Sequence, residues 1–539
     1  MSKTGFYLLL SFTFLAYALS MRLDVMDVDA AQYAQMSWEM LSSNHLLQLY
    51  CSNHDYLDKP PLLFWLNSLS FYLLGISNFS YKLPSILFAL IGIYSTYRFT
   101  LIYYSQRVAQ TAAIMLATSQ ALFLITNDVR TDTILMGAVM WSVWQWTEFF
   151  ETSKTRNLYW GSLGLSLALL AKGPVAIIAT GAALMPQLLW KQKLNKLFDS
   201  RIILAFIIIA LLLIPMCVGL YNQFGVRGLK FYFWTQSFGR ITGENEWNNH
   251  PDTFFLVHSM AWAFLPWSVF LFIGWMRSIG NLLKTRFSQV LNTEIASISG
   301  FSLMLLALSL SQYQLPHYIF VVFPLAAVIA SVYYHELPLD AKLGKYMYAL
   351  QGILIITLLP GALFCQYAFM GFDLLSLSFL VIAVLLTCVV FLKTKNWIYT
   401  SGFAIVCFNI LLSGFYYPEI LKYQPQADFG KYMRQHSDEN ISYIAYKSTI
   451  AFSTVFYAQQ MQAAEFWKPE DLKKYLDKKQ KLFVITGPEG LSSIRAEKIP
   501  LEIIQERISF PISRLNGKFL NPTTRQTVCE KLFLLKISL

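Results

Sequence analysis

The chain has 539 residues, of which 55% are hydrophobic and only 14% charged, and its mean hydropathy is +0.45. Soluble domains carry about 25% charged residues, so composition excludes an ordinary soluble protein and predicts one embedded in a membrane. The net charge of +11 does not point to nucleic acid, because Lys and Arg fall mostly in short loops between apolar runs and in the C-terminal tail, as in loops that face anionic lipid.

The first apolar run, Phe6 to Ser20, has one nearby Lys and no small-residue cleavage site, and reads as an uncleaved span. Behind it lies a polar loop, 21–60, with Asp27 and Asp29 at one end and Asp58-Lys59-Pro60-Pro61 at the other. Between them an amphipathic helix is expected over Ala30–Leu41. Counting the first run as 5–20, fourteen apolar segments are candidate spans; the others are 61–76, 83–104, 109–126, 133–150, 158–171, 174–190, 202–222, 254–276, 296–312, 317–335, 345–370, 373–393 and 397–416. A span needs about 20 apolar residues, so 61–76 and 158–171 are short.

Loops rich in Lys and Arg mark the cytoplasmic side. Those with Lys154/Arg156, Lys191/Lys193/Lys196, Arg277/Lys284/Arg286, Lys342/Lys345 and Lys393/Lys395 alternate accordingly. That leaves 127–132, 172–173, 223–253, 313–316 and everything after 417 outside. If 21–60 is outside too, one of the three segments between it and 127–132 does not cross. The expected one is 61–76, which opens with Pro60-Pro61 and contains Asn67. The predicted architecture is thus a polytopic α-helical membrane domain, residues 1–416, with about thirteen spans, a cytoplasmic N-terminus and an external C-terminus.

From 417 the composition shifts: 31 charged residues fall in 417–539 against 42 in 1–416. A soluble external α/β domain is expected there. Its strand-like runs are Ile441–Tyr446, Lys481–Thr486 and Leu532–Ile537, with a helix starting at Pro469 and Gly487-Pro488-Glu489-Gly490 as a turn. Of six cysteines, only Cys51 and Cys529 lie outside apolar segments, and whether they pair is left open.

The external loops hold nearly all the unusual polar groups. They are Asp27, Asp29, Asp58 and Lys59; the run Asn127-Asp128-Val129-Arg130-Thr131-Asp132; Lys172 before Gly173-Pro174; Arg240, Glu244, Glu246 and His250; and His317-Tyr318. Charges at membrane depth are costly and face a cavity or a partner, and their clustering on one side predicts a single site. Carboxylates beside cations at the lipid boundary suit a reaction whose donor is anchored in the bilayer by a phosphate. Lys59, Lys172 and Arg240 would hold phosphate oxygens, and Asp29 would accept or orient the acceptor proton. Plainer roles compete: helix N-caps for Asp29 and Asp132, a snorkelling Lys172, and ordinary hydrogen-bonding roles for His250 and His317. Asp27 reads as structural before catalytic. A divalent cation stays open, with Asp27-Val28-Asp29, Asp58 and His250 as candidate oxygen and nitrogen ligands. The competing class is a secondary transporter or lipid flippase, although no internal repeat is visible.

Asp29-Ala30-Ala31-Gln32-Tyr33-Ala34 and the following residues to Leu41 resemble the first external loop of the bacterial aminoarabinose transferase and protein O-mannosyltransferase superfamily, membrane glycosyltransferases of the GT-C fold. Tyr56-Leu57-Asp58-Lys59-Pro60-Pro61 resembles that superfamily's Lys-Pro-Pro segment, with Asp where Glu is usual. Asp132 matches the acid of the second loop, and Leu315-Pro316-His317-Tyr318 a later signature. The resemblance covers residues 5–335. It implies a polyprenyl-phosphate-linked sugar donor, a glycolipid or protein acceptor and a periplasmic site in the inner membrane; the phosphate-holding chemistry read above calls for no organic cofactor. It further implies Asp29 and Asp132 as catalytic carboxylates and Lys59 as a phosphate ligand, with Tyr33, Tyr56 and Asp58 in support. The usual second acid after Asp29 is here Ala30. A monomer is expected.

Overall fold

The computed structural model describes residues 3–236, 239, 249, 252, 254–284, 294–337, 342–436, 441–477 and 481–538. Arg240, Glu244, Glu246 and His250 lie outside the described residues.

Helices dominate up to Leu421, the first being α1 (Lys3–Ser20). The segment behind the first apolar run is built from α2 (Asp29–Ser43), a two-stranded hairpin of β1 (Tyr50–Cys51) and β2 (His54–Asp55), and α3 (Leu62–Leu74). The Glu39 carboxylate closes the hairpin by accepting from Ser52 N at 2.9 Å and Asn53 N at 2.8 Å. At 13 residues α3 is about 20 Å long, against roughly 30 Å of hydrocarbon.

Next come α4 (Asn78–Tyr103), α5 (Gln106–Ala117), α6 (Gln120–Asn127), α7 (Thr131–Thr152), α8 (Thr155–Lys172), α9 (Val175–Trp190) and α10 (Arg201–Phe224). Two segments read from the sequence as continuous are broken. The run 109–126 divides into α5 and α6, bent by 47°. At the break the Thr118 and Ser119 hydroxyls bond back to the carbonyls of Ile114 and Leu116, offering the backbone an alternative to the helical ladder. The run 254–276 divides at Leu265-Pro266 into Phe255–Ala263 and Ser268–Lys284, where proline cannot donate.

Among the described residues, six helices are long and apolar enough to span a membrane, seven if α5 and α6 count as one. They are not equally enclosed. The most apolar stretch of Pro316–Glu336 is 78% buried, whereas those of Lys342–Met370 and Leu374–Thr394 are 17% buried. A helix that is apolar all round and little covered by protein is one that faces lipid.

α4 and α7 touch backbone to backbone at Gly137, where a Cβ would stand 2.2 Å from the Phe88 carbonyl oxygen. Overpacking of this kind costs about 1–3 kcal/mol. Gly137→Ala is accordingly expected to lower the melting temperature of the detergent-solubilised protein, by driving α4 and α7 apart.

Beyond Pro425 the chain forms a five-stranded sheet in the order β4-β3-β5-β7-β6. The strands are β3 (Ser442–Tyr446), β4 (Ala464–Phe466), β5 (Lys481–Thr486), β6 (Leu501–Ser509) and β7 (Glu530–Ser538). β3 runs parallel to β4 and β5, and β7 is antiparallel to β5 and β6. Gly487-Pro488-Glu489-Gly490, expected as a turn, opens a helix, Pro488–Ala496. Proline at the first helical position is pre-set for the helix, and Glu489 in the first turn complements its dipole.

Candidate active site

Asp29 is the first residue of α2, and Val28, not Asp29, occupies the cap position. The carboxylate is therefore not spent on capping. It is 42% exposed and accepts from Arg130 Nη1 at 2.5 Å. Arg130 Nε donates to Asp128 Oδ2 at 2.7 Å, so one guanidinium bridges two carboxylates. Burial opposes the Arg130 charge, but the Asp128 and Asp29 carboxylates outweigh it and hold the guanidinium above its usual range. Arg130 is extended at φ −132°, ψ 162°, just ahead of α7, which lets its side chain reach back to the start of α2.

Asp132 lies in the first turn of α7 and is 4% exposed. Its Oδ1 pairs with Lys172 Nζ, and His317 Nε2 stands 3.9 Å from Oδ2. Lys172 ends α8, where the negative helix terminus favours a cation. The left-handed Gly173 (φ 78°) then turns the chain into α9. The ammonium also lies 4.3 Å from the centre of the Tyr318 ring, a cation–π contact.

Asp58 and Lys59 form an ion pair where the chain enters α3, and Tyr56 Oη donates to Asp58 Oδ2 at 3.5 Å. Burial pushes the Tyr56 hydroxyl well above the usual phenol range. Gln236 donates to the Asp58 carbonyl.

These groups, Asp128 excepted, line one cavity of about 490 Å³. Its polar wall contains Asp29, Tyr33, Tyr56, Asp58, Lys59, Arg130, Asp132, Lys172, His317 and Tyr318. The lining also includes the apolar side chains Leu135, Val175, Ile178, Met304, Leu308 and Val321. Asp27 is not part of the lining. Its carboxylate accepts from Ser453 Oγ at 2.7 Å and Ser453 N at 3.2 Å. Burial pushes the carboxyl up to about 6 against the opposing pull of those two bonds.

Arg130 is absent from the residues singled out by chemistry, although it stands inside the polar run 127–132. A cation flanked by two acids between apolar segments was the available signal. Gln236 had none. Among the described residues no group of three or more His, Cys, Asp or Glu is placed to hold a metal ion, and Cys51 and Cys529 are both free thiols.

Arg130→Lys keeps the charge but cannot fork across two carboxylates. It is expected to lower turnover by roughly ten- to a hundredfold through misplacement of Asp29, measured by steady-state kinetics on the folded variant.

Residues 58–218 match the family model described as dolichyl-phosphate-mannose-protein mannosyltransferase. An undecaprenyl phosphate-alpha-4-amino-4-deoxy-L-arabinose arabinosyl transferase of Erwinia tasmaniensis is 25% identical over 341 residues, 61% of this chain and 60% of that one. An uncharacterized protein of Aquifex aeolicus is 27% identical over 363 residues, 66% of this chain and 77% of its own length. The crystal structure of ArnT from Cupriavidus metallidurans bound to undecaprenyl phosphate superposes with a TM-score of 0.73 at 15% identity, covering 99% of this chain and 98% of that one.

The chain is similar to the aminoarabinose transferases and, over residues 58–218, to the protein mannosyltransferases. It has the GT-C fold of these membrane glycosyltransferases, built here as a mostly helical body with several apolar helices. It spans about half to three-fifths of the length of the arabinosyl transferases of Proteus mirabilis and Erwinia tasmaniensis. The family match begins at Asp58, so it takes in Lys59, Arg130, Asp132 and Lys172 of the cavity lining but not Asp29.

Proposed function

We propose that the chain moves a sugar from a polyprenyl-phosphate donor to a glycolipid of the lipid A type or to a protein, at the external face of the inner membrane. The observation that carries this reading is the joining of Asp29, Lys59, Arg130, Asp132 and Lys172, from separate parts of the sequence, at one cavity that is also lined by apolar side chains. A polyprenyl phosphate has the matching chemistry, an anion for the lysines and a hydrocarbon tail for Leu135, Ile178 and Met304.

In the reaction the acceptor oxygen attacks the anomeric carbon. The bond from that carbon to the phosphate oxygen breaks, and its electron pair leaves with the polyprenyl phosphate. Attack opposite the leaving group inverts the anomeric centre. Lys59 and Lys172 share their ammonium donors between Asp58 or Asp132 and the phosphate, since each carries three. Arg240 is assigned the same task. A hydroxyl acceptor passes its proton to the Asp29 carboxylate; a phosphate acceptor arrives ionised and needs Asp29 only for placement. Tyr33, Tyr56, Asp58, His317 and Tyr318 shape the surroundings, and His250 is assigned a supporting role by its sequence alone.

In the accompanying topology the chain crosses about thirteen times, with α3 in the interface and the cavity and residues after 417 external. The loop charges support that orientation, and the short length of α3 supports its placement. The working unit in this reading is a monomer.

Mass spectrometry of lipid A and exported proteins from cells with and without the chain tests the proposal. A sugar mass gained on lipid A names a glycolipid acceptor, and one gained on protein names a protein acceptor. Identical spectra for both would overturn it.

A further inference from the structure

The residues just ahead of Asp29 have no regular secondary structure, yet their bonds go largely to the far end of the chain. Gln424 Nε2 donates to the Val25 carbonyl and Gln424 Oε1 accepts from Asp27 N, each at 2.9 Å. One side-chain amide thus replaces the strand partner that this stretch lacks. Tyr457 Oη accepts from Val25 N at 2.8 Å, and Lys431 Nζ pairs with Asp24 Oδ2 at 2.6 Å. Ser453 binds both oxygens of Asp27. The held stretch runs directly into α2, whose first turn is tied by Ala31 N to Met26 O and Gln32 N to Val28 O, both at 3.0 Å.

The packing behind these bonds is tight. Phe456, 1% exposed, sits against Phe71 and Tyr81 at ring-centre distances of 5.9 and 6.0 Å. Tyr81 Oη in turn donates to the Ala30 carbonyl at 2.6 Å. The sheet order explains how Ser453 arrives there. β3 lies between its parallel neighbours β4 and β5, so its carboxyl end is at a topological switch point, the edge where open α/β sheets receive ligands. The segment leaving that edge enters the helix Phe452–Ala458 and presents Ser453 to Asp27.

We propose that this C-terminal unit sets the position of the Asp29 carboxylate, with Gln424 and Ser453 as positioning residues for sugar transfer. The proposal rests on the reading of Asp29 given above. An unclamped loop would spread over many backbone states, only a few of which hold Asp29 in one place. A displacement of about 1 Å at a reacting group costs on the order of a hundredfold in rate.

The test compares Gln424→Ala, Ser453→Ala and Ser453→Thr in the full-length protein, each checked for folding by thermal melting. Transfer is assayed with undecaprenyl-phosphate-linked 4-amino-4-deoxy-arabinose and lipid A. Both alanine variants are expected to lose roughly ten- to a hundredfold in kcat with donor KM within about twofold, and Ser453→Thr, which keeps the hydroxyl, to recover most of the loss. Amide exchange over 24–32 is expected to quicken in the alanine variants and stay slow in Ser453→Thr. If Gln424→Ala does not fold, Gln424→Glu carries the same test, since it keeps the acceptor for Asp27 and loses the donor to Val25. Wild-type kcat in the folded alanine variants overturns the proposal, as does Ser453→Thr behaving like Ser453→Ala. If the wild-type chain transfers nothing, or Asp29→Asn is fully active, the reading of the reaction fails. Exchange then decides the clamp alone, and unchanged exchange over 24–32 rejects it.

Discussion

Asp29→Asn is expected to reduce kcat by about 10²–10⁴-fold for a hydroxyl acceptor, the range supplied by a positioned general base, with little change in donor KM. The amide keeps the size of the side chain and still offers an oxygen to Arg130 Nη1, so the variant should fold and bind donor. What it loses is the ability to take a proton from the acceptor oxygen. Steady-state kinetics on purified protein decide the matter. A loss of about two- to fivefold would remove Asp29 from proton transfer and leave it a placement role, as expected for an acceptor that arrives ionised, and full activity would overturn its place in the reaction. The exposure of Asp29 to the cavity makes the test direct, because the substitution leaves no buried charge unpaired.

Lys172→Ala should damage stability as well as activity, for a different physical reason. Its partner Asp132 is 4% exposed. Removing one member of a buried pair leaves the other charge uncompensated, at a cost of about 3–5 kcal/mol. His317, 3.9 Å from the other carboxylate oxygen, is too distant for a strong hydrogen bond. A sharp fall in melting temperature is therefore expected for the single variant. The double variant Asp132→Asn with Lys172→Met removes both charges and should recover most of that stability while remaining inactive. Recovery of transfer in the double variant would show that the pair serves the fold alone. A single variant as stable as the wild type would show that the pair carries no such cost.

Much of the candidate site's lining was legible because charged residues are so scarce in this chain. Lys59, Asp132 and Lys172 stand out against apolar runs, and each is positioned by an element end that local sequence marks: Pro60-Pro61 before α3, the start of α7, and Gly173-Pro174 after α8. Arg130 was harder to read. Its role depends on reaching Asp29, 101 positions earlier, and spacing along the chain carries no trace of that encounter. Asp27 shows the same limit in reverse. It sits two residues from Asp29, yet its carboxylate turns to Ser453 and away from the cavity.

The fold divides along similar lines. Apolar runs mark where helices form, since a buried backbone must satisfy its own hydrogen bonds. They do not reveal where a run breaks, because the bend between α5 and α6 comes from two hydroxyls bonding back to the backbone. In the tail, β5 and β7 are apolar enough to read as strands. β6 and β4 are half-exposed at the sheet edges and take their form from their neighbours.

Composition, hydropathy and the placement of rare charges are sums over local residues, and they sufficed to mark a membrane protein with one polar site behind its first apolar run. Which carboxylate faces the cavity, which is held by the tail, and which cation bridges to Asp29 depend on contacts between residues a hundred to four hundred positions apart. Those contacts exist only after the helices and sheet have packed, because packing alone brings such distant side chains within hydrogen-bonding reach.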